Sequence, residues 1–122
     1  DLKEFLHKKL LPLEAILQQH ETPALIGASG TFDVLESYLA QAPQHPLYRR
    51  VQVEDFYPFY QKMLKTTLPE RLRTAEIPAA RAEMLIVALV LIDVVMALAK
   101  TQQIIVSPYA MKEGMLYDMM QA

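Results

Sequence analysis

The sequence predicts a mostly helical α/β protein with two short parallel strands. Apolar residues recur at helical spacing along most of its 122 residues. Two short apolar runs, Ala24–Ala28 and Gln103–Ser107, interrupt that pattern and read as buried strands. Strands joined through helices normally run parallel, because a tight hairpin cannot connect them.

Leu2, Phe5, Leu6, Leu10, Leu13, Ile16 and Leu17 mark a first helix from Leu2 to Gln19. Pro12 lies inside it and, lacking an N–H, kinks or splits it. Glu21-Thr22-Pro23 ends it before the first strand. Thr31 to Ala42 is the next helix, with Phe32, Leu35 and Leu39 on one face and Asp33 near the positive end of the helix dipole. Pro43 to Leu47 reads as a loop and Val51 to Val53 as a brief extended stretch. The pattern from Glu54 to Lys65 turns Phe56, Phe59, Tyr60, Met63 and Leu64 inward, with Pro58 expected near the first turn, where proline is tolerated. Thr67-Leu68-Pro69-Glu70 has capping-box spacing and opens a short helix to Arg73. Pro78 opens a long helix that ends around Lys100. Its stretch Met84–Ala99 is apolar all round, the pattern of a helix buried on every side. A terminal helix from Met111 to Gln121 carries Met111, Met115, Leu116 and Met119, which read as core.

Two parallel strands do not make a viable sheet, because parallel sheets need more strands and cover on both faces. The expectation is that the missing strands lie upstream of Asp1, so that residues 1–122 are a portion of a larger domain. An open ladder edge and an uncovered apolar face also favour a homodimer of the isolated piece.

Composition narrows the function. With 52% hydrophobic and 21% charged residues, the chain can build a core. Its net charge of −2 disfavours a nucleic-acid polymer or a membrane surface as partner. It has no cysteine, which excludes disulfides and thiolate metal sites and fits a reducing cytoplasm. The apolar run Met84–Ala99 is shorter than the ~20 residues of a membrane span and contains Asp93.

Only three glycines are present, and two fall in the elbow Gly27-Ala28-Ser29-Gly30-Thr31. A glycine-rich turn from a strand into a helix has two readings. It supplies geometry and capping alone, or it lets an anion approach exposed backbone N–H groups at the helix N-terminus, with Ser29 and Thr31 adding hydroxyl donors. The spacing is neither that of a P-loop nor that of a dinucleotide fingerprint. Arg81 sharpens the second reading. In the first turn of the predicted long helix a cation works against the helix dipole, which asks for an anionic ligand or for a salt bridge to Glu76, Glu83 or Asp93. His7, His20 and His45 are dispersed and lack metal-ligand spacing. Asp93 reads as a hydrogen-bonded core residue.

Three stretches resemble one family. "LIGASGTFDVLE" is similar to the Gly-x-Ser-Gly-Thr turn of the exopolyphosphatase / guanosine pentaphosphate phosphohydrolase (Ppx/GppA) phosphatases. "PERLRTAEIPAARAEMLIVALVLID" resembles their Glu-Arg element and Arg-Ala-Asp-type helix, with Glu83 in place of the aspartate. "IIVSPYAMKEGMLYDMM" resembles their last strand and Arg-Glu-Gly signature, with Lys112 in place of the arginine. Lysine lacks the planar fork that grips phosphate with two bonds.

The resemblance implies an actin-like ATPase (ribonuclease-H-like) fold, in which residues 1–122 are the C-terminal portion of the second domain. It implies hydrolysis of phosphoanhydride bonds in polyphosphate or guanosine pentaphosphate, with Mg²⁺. Gly27, Ser29, Gly30, Thr31 and Arg81 would form one wall of the substrate cleft. The family's phosphate loop and its water-activating glutamate are not in this sequence, so the isolated chain is expected to be inactive. Two other classes remain open at this point: the nucleotide-binding portion of an actin-like kinase, and a helical interaction module.

Overall fold

The computed structural model describes residues 1–39 and 45–121. Helix α1 (Leu2–Lys9) starts at Asp1, whose carboxylate accepts from Lys3 N at 3.0 Å. Helix α2 (Leu11–Leu17) carries Pro12 in its first turn. The proline therefore splits the predicted first helix in two, at the place where its missing N–H breaks no bond. Strand β1 (Ala24–Ala28) leads into α3 (Gly30–Leu39). The predicted end of that helix at Ala42 lies outside the described residues, as does the start of the loop at Pro43.

Strand β2 (Arg49–Gln52) comes next, followed by α4 (Val53–Leu64) and α5 (Leu68–Leu72). The capping box forms as its spacing predicts: Thr67 N donates to Glu70 Oε2 at 2.8 Å and Glu70 N to Thr67 Oγ1 at 3.3 Å. Then come α6 (Ala79–Ala82), α7 (Leu85–Ala99), β3 (Gln103–Ser107) and α8 (Met111–Gln121).

The sheet has three strands in the order β1-β3-β2. The two predicted strands pair in parallel, Ala24 opposite Gln103 through Ala28 opposite Ser107. The third strand corrects the expectation of two. The brief extended stretch expected at Val51–Val53 is a strand, two residues earlier, antiparallel to β3 from Arg49 opposite Val106 to Gln52 opposite Gln103. The sheet is therefore mixed.

One face of the sheet is core. Val51, Ile104 and Val106 are completely buried against Val34 and Leu35 of α3, Phe56 of α4 and Leu85 and Leu89 of α7. Burial of each such side chain contributes about 1.5–3 kcal/mol. The other face is open: Ile26 is 68% exposed and Arg50 is exposed on the far strand, with half-buried Ile105 between them. Helix α4 buries Phe56, Phe59, Tyr60 and Met63, as its spacing predicts, but Leu64 is exposed at its end. Pro58 sits in the second turn of α4, not the first, so the Glu54 carbonyl has no amide to accept from there. The aromatic stripe on the same helix offsets that loss.

Three other expectations change. The long helix predicted from Pro78 is broken at Glu83–Met84, between α6 and α7. Helix α7 does end as predicted, with Lys100 in the left-handed region at φ 53°. It is not buried on every side, because Met84, Val87 and Leu91 form an exposed stripe. The methionine-rich α8 buries nothing, and Met111, Met119 and Met120 are its most exposed large apolar side chains. Apolar content identified these surfaces correctly as apolar, but it does not say whether a neighbour covers them.

Candidate functional site

The elbow stands at the carboxyl ends of the two parallel strands, where open α/β sheets place their ligands. Ser29 and Gly30 both adopt left-handed backbone, with φ of 66° and 45°. For a non-glycine residue such as Ser29 this costs about 1–2 kcal/mol. Phe32 N donates to Ser29 O at 3.0 Å and closes the turn into α3.

The two glycines have different reasons to be there. Gly27 is buried, and a Cβ at that position would overlap the ring of Phe32. The close approach at Gly27 is therefore made by the chain's own aromatic ring. At Gly30 the space beside the Cα is taken up by Arg81. The position a Cβ would take lies 3.2 Å from Arg81 Nη1 and 3.3 Å from Cζ. The structure thus brings Arg81 to the elbow, across a wide sequence separation.

Arg81 reaches it by a different route from the one its sequence position suggests. It lies in the last turn of the four-residue α6, not the first turn of a long helix. A single turn has little dipole for a cation to oppose, so that part of the expectation is corrected. The salt-bridge alternative is not realised either. Among the described residues Arg81 makes no ion pair, and Asp93 is engaged by Lys3 Nζ at 2.8 Å. Asp93 is buried in α7, so it is the satisfied core residue that its sequence context indicates.

Ser29 is exposed and Thr31 half-buried at the start of α3. Among the described residues neither hydroxyl takes part in a side-chain hydrogen bond. Two hydroxyls and a guanidinium, none with a side-chain partner among the described residues, thus stand at one turn. Chemically such a surface can bind anionic oxygens and stabilise charge on them.

No group of three or more His, Asp or Glu side chains suited to a metal occurs among the described residues. His45 is engaged elsewhere, accepting from Leu47 N at 3.0 Å through Nδ1 and stacking on Tyr48. The side chains here do not fit a resident Mg²⁺, and no chemical step through one is derived from them. A cavity of about 470 Å³ lined by His20, Glu21, Thr22, Lys100 and Gln102 lies near the amino ends of β1 and β3. That is the opposite end of the strands from the elbow, and it contains none of the predicted site residues.

A mixed sheet with helices on one face and a glycine elbow at the carboxyl end of its parallel pair is the mostly helical α/β arrangement of an actin-like domain. It is shared with the crystal structure of an Aquifex aeolicus Ppx/GppA family member at TM-score 0.72 and 18% identity, over 98% of this chain and 39% of that one. A second study of an Aquifex aeolicus PPX-GPPA enzyme gives TM-score 0.73 and 19% identity, over 95% and 39%. At such identity the likeness is one of fold alone. An exopolyphosphatase from Cytophaga hutchinsonii ATCC 33406 is nearer, with TM-score 0.84 and 32% identity over 98% of this chain and 40% of that one.

The chain belongs to the Ppx/GppA phosphatase family, whose family model matches residues 1–122. It spans about two fifths of the length of these solved relatives. No curated protein gives a significant match. No helix among the described residues is long and apolar enough to cross a membrane.

Proposed function

We propose that this chain is the C-terminal portion of the second ribonuclease-H-like domain of an exopolyphosphatase-type hydrolase. In that enzyme it forms one wall of the cleft that holds polyphosphate or guanosine pentaphosphate. Gly27 shapes the wall from behind through Phe32. Ser29, Gly30 and Thr31 present backbone and hydroxyl donors, and Arg81 presents a fixed positive charge. The observation that carries this reading is the Arg81 guanidinium on Gly30, without an acidic partner among the described residues.

Such a wall suits phosphoryl transfer, in which catalysis is mostly positioning and electrostatic stabilisation. The water-activating base and Mg²⁺, which supplies charge neutralisation on the phosphates when bound, belong to the rest of the enzyme on this reading. The isolated chain is accordingly inactive. Family membership and the likeness to an exopolyphosphatase support a phosphatase over a sugar kinase.

The test is Arg81→Ala in the complete protein, assayed with polyphosphate and with guanosine pentaphosphate. Loss of one charge-assisted hydrogen bond should lower kcat/KM by the equivalent of about 1.5–3 kcal/mol. The melting temperature should barely move, because the side chain is exposed and unpaired. A large fall in melting temperature with catalysis intact would make Arg81 a structural residue and end this reading.

A further inference from the structure

Nothing in the local sequence explains the break between α6 and α7. Residues Ala79 to Ala99 contain neither proline nor glycine and are mostly strong helix formers. Yet α6 is one turn long, with Arg81 N and Ala82 N both donating to Pro78 O, and Met84, at φ −93° and ψ 0°, is the N-cap of a new helix instead of the interior of the old one. Another element meets the chain at this point. Arg71 Nε, on α5, donates to Ala82 O at 2.8 Å, the carbonyl that a continuous helix would offer to the Ile86 amide.

Arg71 is an unusual residue to find there. It is 8% exposed, and among the described residues no carboxylate pairs with it. Its other contacts are to neutral oxygens: Nη1 donates to Thr66 O at 2.9 Å and to Thr66 Oγ1 at 3.0 Å. Thr66 Oγ1 in turn donates to Met63 O at the end of α4. A buried charge held only by carbonyls and a hydroxyl is a poor way to add stability, since an apolar side chain of the same volume avoids the desolvation cost. What the guanidinium does supply is geometry. Its rigid fork ties the C-terminus of α4 to the last carbonyl of α6.

We infer that Arg71 is a positioning residue: by capturing the Ala82 carbonyl it ends α6 after one turn and holds the neighbouring Arg81 guanidinium over Gly30. This inference rests on the reading of Arg81 as an anion contact, but its structural half stands apart from that reading. Without Arg71 the sequence from Ala79 onward closes into one helix, as its propensity favours. Arg81 then swings with the helix surface, away from the elbow.

The complete protein tests this with Arg71→Met, which keeps length and volume, and Arg71→Lys, which keeps charge without the fork. Two readouts are needed. Hydrogen exchange should show the Met84, Leu85 and Ile86 amides gaining protection in Arg71→Met as the helix closes. Unchanged or lower protection of those amides in the folded variant overturns the inference, whatever happens to catalysis. Polyphosphate hydrolysis should fall about 10- to 100-fold in Arg71→Met, matching the loss from Arg81→Ala. The double variant Arg71→Met/Arg81→Ala should be no slower than Arg81→Ala alone, because Arg71 acts through Arg81. Additive losses would show that Arg71 acts otherwise and overturn its positioning role. If Arg81→Ala is itself harmless, the anion-contact reading fails, while the exchange result still decides what Arg71 does to the backbone. If Arg71→Met does not fold, Arg71→Lys carries the same comparisons: it should keep part of the activity, and full activity with unchanged exchange would refute the role of the fork.

Discussion

The guanidinium of Arg81 rests on the bare Cα of Gly30, with Nη1 3.2 Å from the place where a Cβ would stand. Glycine is favoured there by its φ of 45°, and a Cβ would press on the end of the Arg81 side chain. Gly30→Ala should therefore cost about 1–2 kcal/mol in stability from backbone strain. It should also push the mobile end of Arg81 outward and lower activity beyond what the stability loss explains. Denaturant melts alongside steady-state kinetics of the complete protein would check this; unchanged kinetics would mean that the contact with Gly30 is incidental.

Gly27 predicts a different phenotype. A methyl group there meets the Phe32 ring, which is held between strand and helix. Gly27→Ala should destabilise by about 1–3 kcal/mol through overpacking. Combined with Phe32→Ala, the loss should be smaller than the sum of the two single losses, because removing the ring removes the clash. Strict additivity in thermal melts would refute the clash.

Alkaline pH should unfold the protein through groups that share one sign. Lys3 has its pKa raised above the ordinary 10.5 by its hydrogen bond to Asp93 and then by the attraction of that carboxylate. Tyr57 and Tyr60 are raised above 10.0, by burial first and the Asp93 charge second. Tyr38 is raised by burial first and Glu76 second. In each case the folded state holds its proton more tightly than the unfolded chain. The stabilisation is full below the ordinary values near 10 and is lost as pH rises through the folded-state values. Stability should fall above about pH 10, and the fall should be shallower in Lys3→Met. A stability curve flat to pH 11 would contradict it.

The isolated 122-residue chain should self-associate. It carries an open sheet face at Ile26 and an apolar helix with Met115 60% and Met119 72% exposed. Patches of this kind seek cover, and a two-fold dimer is the default arrangement. Light scattering across a concentration series should show a dimer or larger species, reduced by Met115→Lys and Met119→Lys. A monomer at high concentration would show that these surfaces tolerate water.

Much of the fold was legible because it rests on local rules. The capping box at Thr67 and Glu70, the stripe on α4 and the split at Pro12 all follow from neighbours in sequence. What was not legible came from afar. Strand β2 has two arginines and a glutamine around a single buried valine, and it forms because β3 offers an edge beside it. The break before α7 is made by Arg71, a residue whose own segment announced only a short capped helix. In the elbow, both glycines were legible as necessary. That one of them serves Phe32 and the other Arg81 depends on side chains whose directions are set by the packed structure.

Strand β3 lies between the other two strands yet follows both in the sequence. During synthesis β1 and β2 leave the ribosome before β3, so the pairing of each with β3 waits until Ser107 has emerged. Until then the apolar residues of β1 and of α7 lack β3 to close upon. This three-stranded sheet closes late, by non-local pairing, which is the slow and aggregation-exposed kind of folding. The central position of β3 makes this segment a natural client for chaperones, and a ribosome stalled before Gln103 would display its helices with β1 and β2 still unjoined.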